Sequence, residues 1–563
     1  MLTSQNCINA VKIRIKNSKL NHILSSQINI HYLICMVALY LVVTANFGFF
    51  EQVLSIYPLG SNLGFIVSIT ALLFGVMWLL FQLLCYRVSA KPVLITMLLI
   101  GAICSYFTDT YGTIFDRNML INSLQTDQAE AMGLMSLSFL IRVVFLGIVP
   151  AVIVAKISIK KASLSQALWQ RAAAFFLAVG LIIICLLPFG DQYATFFRHH
   201  KIVRSYVNPI TPVYSAIKLS TDHIDELRRP NTLTPHAIDA KRRASALGAH
   251  AKPKLMVFVV GETVRADHVG LNGYERETMP RLAKHPDVYS FNNATSCGTS
   301  TAYSVPCMFS YANRDDFDID SAEDHENVID TLHKQGVKVV WRDNNSSSKG
   351  VADRVTFENY QTAALNPSCD VECRDIGMLH GFDKLVALNA DNKVSQDTLI
   401  VLHQMGNHGP AYFQRYPKSF EKFKPVCMTN ELSKCTPQSV INGYDNAIYY
   451  TDYFLDNVIK TLKNYEKRYD VTMIYASDHG ESLGENNIYL HGLPYAIAPS
   501  AQKHIPVIIW SPNSNGIDNR QLSQMTRHPV SHDFITPTLL EFFGISTNEV
   551  KGAPTFFKMQ DLS

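Results

Sequence analysis

The stretch Val471-Thr472-Met473-Ile474-Tyr475-Ala476-Ser477-Asp478-His479-Gly480-Glu481 reads as a strand that ends in reactive side chains. Val471–Tyr475 is apolar and rich in β-formers, and the residues after it are polar. Adjacent side chains of a strand point to opposite faces. Asp478 and His479 therefore converge only once the strand has ended, and Gly480 eases the bend. A carboxylate and an imidazole meeting at one point form a zinc-type donor set, with Glu262 a candidate third ligand. Carboxylate-rich sites also suit manganese or magnesium, but the imidazole puts zinc first.

The same strand-then-polar arrangement recurs through the second half of the chain. Leu255–Val260 precedes Gly261-Glu262-Thr263. Val337–Trp341 precedes Arg342-Asp343-Asn344-Asn345. Leu399–Leu402 leads into His403 and Gly406-Asn407-His408-Gly409-Pro410, and Ile505–Trp510 is a further apolar run. Helix-like segments, Glu326–Lys334 and Gln438–Tyr465, separate the runs. Alternation of strand and helix predicts an α/β sandwich with a largely parallel sheet. Sites in such sheets gather at the carboxyl ends of the strands. One polar strand end alone is a turn; four together point to a site.

A metal of this kind activates a hydroxyl. Ser296-Cys297-Gly298-Thr299-Ser300-Thr301-Ala302 is dense in them. Zinc lowers the pKa of bound water to about 7, and an alcohol should respond alike. A helix beginning here would also present backbone N–H groups to a phosphate. The alternative is that these hydroxyls cap that helix. Composition does not choose among Thr299, Ser300 and Thr301.

The 563 residues exceed one compact core, and the first 190 differ from the rest. Five stretches approach the roughly 20 apolar residues that cross a bilayer: 29–50, 64–86, 92–110, 135–155 and 172–189. The loops at 87–91 and 156–171 carry Arg87, Lys91, Lys156, Lys160, Lys161 and Arg171, and a basic segment from Lys12 to Lys19 precedes the first span. The loops at 51–63 and 111–134 are acidic or nearly neutral. The bias places the amino terminus inside and the carboxyl half outside. Arg142, inside the fourth span, is either functional or turned into the bundle. The expected organisation is a membrane domain over 1–190, a bridging helix and linker over 191–250 and a catalytic domain over 251–563. A net charge of +3 gives no reason to expect nucleic acid.

Six cysteines of the second half form three sequence-local pairs, Cys297/Cys307, Cys369/Cys373 and Cys427/Cys435. That is the pattern of disulfides closing small loops in an oxidising compartment. Free thiols or a metal cluster are the alternatives. Cys7, Cys35, Cys85, Cys104 and Cys185, in or near the apolar half, show no pattern.

Gly261-Glu262-Thr263-Val264-Arg265-Ala266, the run Cys297 to Cys307, Gly406 to Pro410 and Ser477 to Glu485 resemble the phosphoethanolamine transferases of Gram-negative inner membranes. The likeness is greatest to the lipid A enzymes, including the mobile colistin-resistance proteins. The resemblance implies an alkaline-phosphatase-like α/β/α catalytic domain behind five helices, with Thr301 as nucleophile. It makes Glu262, Thr301, Asp478 and His479 the ligands of one Zn2+, with room for a second. His408 and His491 become contacts to the donor phosphate or to that second zinc. Lys349 becomes a headgroup or phosphate contact, and Asn345 and the acidic position at Asp316, beside Asp315, become substrate-binding residues or part of a second zinc site. The implied partners are phosphatidylethanolamine as donor, lipid A as acceptor and the lipids of the inner membrane. A monomer is expected.

Overall fold

A computed structural model of the chain describes residues 27–126, 131, 134–226, 233–243, 252–386, 396–512 and 517–558. The segment holding Cys7 and Lys12 to Lys19, and most of the linker between 227 and 251, lie outside the described residues. The chain divides into two compact units, Met1–Arg117 with Met135–Lys218 and Asn118–Leu134 with Leu219–Ser563.

The first unit is helical. Its elements are α1 (Ile30–Thr44), α2 (Phe47–Ile56), α3 (Leu59–Leu84), α4 (Ala90–Tyr111), α5 (Leu137–Lys156), α6 (Leu164–Leu186) and α7 (Gly190–His199). Among the described residues, four helices are long and apolar enough to cross a membrane, and α1 with α2 makes a fifth span if that pair is one. The pair is bent by 59°. Asn46 lies at the break, buried, and its Nδ2 donates to Leu41 O at 2.9 Å and Asn208 O at 2.8 Å. Asn208 N donates back to Asn46 Oδ1 at 2.9 Å. A buried amide satisfied by a distant backbone outweighs continuation of the helix. Helix α6 starts at Leu164, before the apolar run, because Ser163 and Gln166 form a capping box. Arg142 of α5 pairs with Asp109 of α4, so its charge faces the bundle.

The second unit is built on one eight-stranded sheet. Its strands are β1 (Lys254–Gly261), β2 (Val288–Thr295), β3 (Lys338–Asp343), β4 (Thr356–Asn359), β5 (Thr398–His403), β6 (Asp470–Ser477), β7 (His504–Trp510) and β8 (Val530–Ser531). Their spatial order is β8-β2-β7-β6-β1-β5-β3-β4, and β7 alone runs against its neighbours. Both faces of the sheet are covered. In β1, Met256, Phe258 and Val260 enter one core with α9 (Val328–Lys334) and α11 (Ile535–Phe542). Leu255, Val257 and Val259 enter the other, with α10 (Pro437–Lys463). Burial on both faces explains why β1 and β5 read as continuous apolar runs without alternation.

The register sets the site. Val260 pairs with both His403 and Ala476, Gly261 with Ser477, and Asp343 with His403. Four parallel strands thus end level, and the residues after them meet on one edge.

Candidate metal and nucleophile site

Glu262, Asp478 and His479 each offer a ligand atom, and these atoms lie within 4.8 Å of one another. All three side chains are fully buried. Their positions follow from strong local constraints. Thr263 adopts φ +54°, in the left-handed region where a β-branched residue is strained, at a cost of about 1–3 kcal/mol. That turn aims its N–H at Asp478 Oδ1, 3.1 Å away, while its carbonyl accepts from the Tyr444 hydroxyl at 2.6 Å. His479 N also donates to Asp478 Oδ1, at 2.7 Å. Gly480 is required by crowding rather than by an unusual φ, since an added Cβ would lie 2.1 Å from Ala501 O. Gly261 is similarly confined, by Tyr475, whereas Gly406 is required by its φ of +49° beside Glu262.

His479 Nδ1 donates to Gly480 O at 2.9 Å, which leaves the lone pair of Nε2 pointing inward. Burial pushes this imidazole down to a pKa of about 4, so it is neutral near pH 7. Burial also acts on the Asp478 carboxyl, but His479 and the Thr263 N–H hold it below the usual carboxylate range. Asp478 Oδ2 is buried, accepts no hydrogen bond and lies 3.3 Å from His479 Nε2. Two lone pairs facing each other at that distance are stable when a cation lies between them. The donor set therefore fits a metal ion, and its imidazole fits zinc.

The hydroxyl-rich loop follows β2. Helix α8 (Thr301–Met308) starts at Thr301, and the Cys297–Cys307 disulfide brackets it. The Thr301 hydroxyl donates to Glu262 Oε2 at 3.1 Å and lies 3.3 Å from His479 Nε2. Thr299 instead donates its hydroxyl to Leu493 O at 2.6 Å. Thr301 is thus the hydroxyl of this loop in contact with the carboxylate and the imidazole. Asn345 completes the cluster, donating Nδ2 to Glu262 Oε2 at 2.7 Å and to Gln404 O at 2.8 Å.

The outer residues fall into two places. The His491 ring lies 4.2 Å from that of His479 and 5.6 Å from that of His408. His491 Nδ1 bonds Glu481 Oε2 at 2.7 Å, and His479, Glu481 and His491 form a second group with metal-ligand spacing. Asn345 and His408 also line a cavity of about 660 Å³, walled on its other side by the Cys369–Cys373 hairpin. Lys349 and Asp316 line a separate cavity of about 200 Å³, with Pro306 of α8 in its wall.

The six paired cysteines form the three expected disulfides, and Cys35, Cys85, Cys104 and Cys185 are thiols. The three bridges differ in their relation to the site. Cys297–Cys307 holds the loop that carries Thr301, and Cys369–Cys373 walls the larger cavity. Cys427–Cys435 does neither. Cys435 is bonded to Cys427 as its spacing predicts, and neither cysteine lines either cavity. Cys435 stands immediately before Thr436, the residue that caps α10, and it is partly buried against the core beneath that helix. Its bridge ties down the entry to α10.

Sequence reasoning missed the parts played by four residues. Glu481 stands in the quoted motif without a role; it is fully buried and accepts from the Tyr412 hydroxyl at 2.5 Å. Asp343 and His403 pair at 2.8 Å beneath the site, from adjacent strand ends. His532 ties the two halves of the site together. Cys297 N donates to its Nδ1 at 3.0 Å, and its Nε2 donates to Ser477 O at 2.9 Å. A lone histidine far along the chain, with no strand run before it, gave no signal.

Two family models match the chain: Sulfatase over residues 254–545, and phosphoethanolamine transferase EptA/EptB over residues 73–224. Phosphatidylethanolamine transferase Mcr-2 of Escherichia coli is 49% identical over 539 residues, covering 94% of this chain and 98% of that one. The chain belongs to the phosphoethanolamine transferase family. Among solved structures, the integral membrane protein lipooligosaccharide phosphoethanolamine transferase A (EptA) of Neisseria meningitidis superposes with a TM-score of 0.86 at 34% identity, covering 93% of this chain and 97% of that one. The carboxyl-terminal periplasmic domain of phosphoethanolamine transferase EptC of Campylobacter jejuni gives a TM-score of 0.50 at 42% identity, covering 56% of this chain and 95% of that one. Like the other members, this transferase is a multi-pass inner-membrane protein of Gram-negative type with its catalytic unit in the periplasm.

Proposed function

We propose that the chain transfers phosphoethanolamine from phosphatidylethanolamine to a phosphate of lipid A, through a phosphoethanolamine ester on Thr301. One observation carries the reading: the Thr301 hydroxyl touches both Glu262 and His479 in a site fully closed beneath. The names of the family relatives support the donor and the acceptor.

Glu262, Asp478, His479 and Thr301 would hold one zinc, which when bound makes the threonine alcohol acidic enough to ionise near neutral pH. The chain's own residues do the rest. The Thr301 proton leaves toward Glu262 Oε2, and Thr301 Oγ1 forms a bond to the donor phosphorus as the bond to diacylglycerol breaks. His491, oriented by Glu481, supplies the proton that the departing glyceride oxygen takes up. A phosphate oxygen of lipid A then attacks the same phosphorus and its proton passes to His491, while Thr301 leaves and recovers its own proton from Glu262. His408 and Asn345 orient the headgroup from the wall of the larger cavity. Lys349 and Asp316 bear on the phosphate or the amine from the smaller one. The covalent step lets two bulky lipids use one site in turn. The product carries an added ammonium, so lipid A attracts cationic peptides such as polymyxins less strongly.

Intact-mass measurement of the purified protein incubated with phosphatidylethanolamine tests the reading. Wild type should gain one phosphoethanolamine and release diacylglycerol, while Thr301→Ala gains nothing. Full adduct formation by Thr301→Ala would remove the reading. Hydrolysis without transfer to lipid A would mark the chain as a phosphodiesterase instead.

A further inference from the structure

Lysine and arginine in the membrane unit follow one rule, with one exception. The cytoplasmic loops carry Arg87, Lys91, Lys156, Lys160 and Lys161, whereas residues 51–63 carry none and residues 112–134 carry only Arg117. The segment after α6 emerges on the periplasmic side and should be equally poor in cations. Instead, residues 190–206 hold Arg198, His199, His200, Lys201 and Arg204 against one acid, Asp191.

The local structure gathers these charges. Helix α7 buries Tyr193 and Phe196 and leaves Arg198 and His199 exposed. The 3-10 helix Lys201–Tyr206 that follows buries Val203 and Tyr206 and leaves Lys201 and Arg204 exposed. Side chains three apart eclipse in a 3-10 helix, so Lys201 and Arg204 share a face. Among the described residues, no acid forms an ion pair with Arg198, Lys201 or Arg204.

We propose that Arg198, Lys201 and Arg204 form the docking surface for the phosphates of the acceptor lipid. The proposal rests on the functional reading above and adds where the acceptor binds. Charge decides the occupant. The donor, phosphatidylethanolamine, is zwitterionic and gains little from a cationic face, whereas lipid A is a polyanion. The product bears an extra ammonium, so the same face holds it less tightly than the substrate and favours its release.

The test uses the full-length chain reconstituted in phosphatidylethanolamine vesicles, with bisphosphorylated lipid A as acceptor. Arg198→Gln, Lys201→Gln and Arg204→Gln together should raise the acceptor KM by about fivefold per cation removed, leaving kcat within about twofold. Added salt should raise the wild-type KM more than the variant's. Adduct formation and diacylglycerol release without acceptor should be unchanged, and Lys201→Arg with Arg204→Lys should behave as wild type. An unchanged acceptor KM overturns the proposal, as does slower adduct formation without acceptor. Weaker binding to phosphatidylglycerol vesicles with the acceptor KM unaltered assigns the face to bulk anionic lipid and also overturns it. If the triple variant fails to fold, by size exclusion in detergent, Lys201→Gln alone carries the test. Wild type forming no adduct at all would count against the functional reading, not against this surface.

Discussion

Asp478 is where charge, burial and geometry make the sharpest demand. Its Oδ1 is occupied by two backbone N–H groups, and its Oδ2 accepts no hydrogen bond and faces His479 Nε2 at 3.3 Å. Asp478→Asn keeps the shape and removes the charge. Zinc per chain, measured by mass spectrometry of the metal, should fall well below the wild-type stoichiometry, and adduct formation should fall with it. Retained zinc at full stoichiometry would show that the carboxylate is not a ligand. His532 makes a demand of another kind. It accepts from Cys297 N and donates to Ser477 O, so it must be neutral when folded. Burial pushes its pKa down from 6.5 to about 4. Between those values the unfolded chain takes up the proton and the folded chain does not, so stability is lost as pH falls through that window, by about 1.4 kcal/mol per pH unit. His532→Gln should flatten this dependence. The unfolding midpoint of the variant in detergent should drop less between pH 6.5 and pH 4.5 than that of wild type, and an identical drop in both would refute the assignment.

At the scale of elements, helix α8 holds Thr301 in place, and the Cys297–Cys307 bridge closes around its first two turns. Removing a native disulfide costs about 2–5 kcal/mol in small secreted domains. Cys297→Ser with Cys307→Ser should lower the thermal midpoint and slow adduct formation. If adduct formation stays at the wild-type rate, the bridge has no part in positioning the nucleophile. The sequence made some elements plain and hid others for physical reasons. β1, β5 and β6 are buried on both faces, so their apolar runs stand out. In β2 only Phe291 and Ala294 are buried, and β8 is two residues long, so neither leaves such a trace. The first membrane stretch hides its break because Asn46 is a single polar residue whose partner, Asn208, lies far along the chain. The starting point of α6 is set by a capping box that hydropathy ignores. Glu262, Thr301, Asp478 and His479 were legible because they follow strands or a hydroxyl-rich helix start. His403 and Asp343 looked like further strand-end residues, and only their contact shows that they pair.

For the molecule as a whole, the membrane unit supplies confinement. Both lipids present headgroups at the bilayer surface, and a tethered catalytic unit meets them in two dimensions rather than three. A version starting near residue 219, which drops the membrane unit and with it Asn118–Leu134 of the second unit, should still react with a soluble headgroup analogue. It should lose most of its rate with lipid A in vesicles, measured side by side at equal enzyme. Equal rates with the vesicles would mean that the spans contribute nothing to encounter.

The glycines at 261, 406 and 480 seal the floor of the site, since a methyl group would strike Tyr475 or the Ala501 carbonyl at 261 and 480, and Gly406 needs its φ of +49° beside Glu262. A small-molecule blocker therefore has nothing to grow into below the carboxylates. Bulk must be added on the side of Asn345 and His408, where the larger cavity begins. Potency in such compounds should track how they fill the space beside the Cys369–Cys373 hairpin, and resistance by single substitution should arise in that wall rather than in the floor.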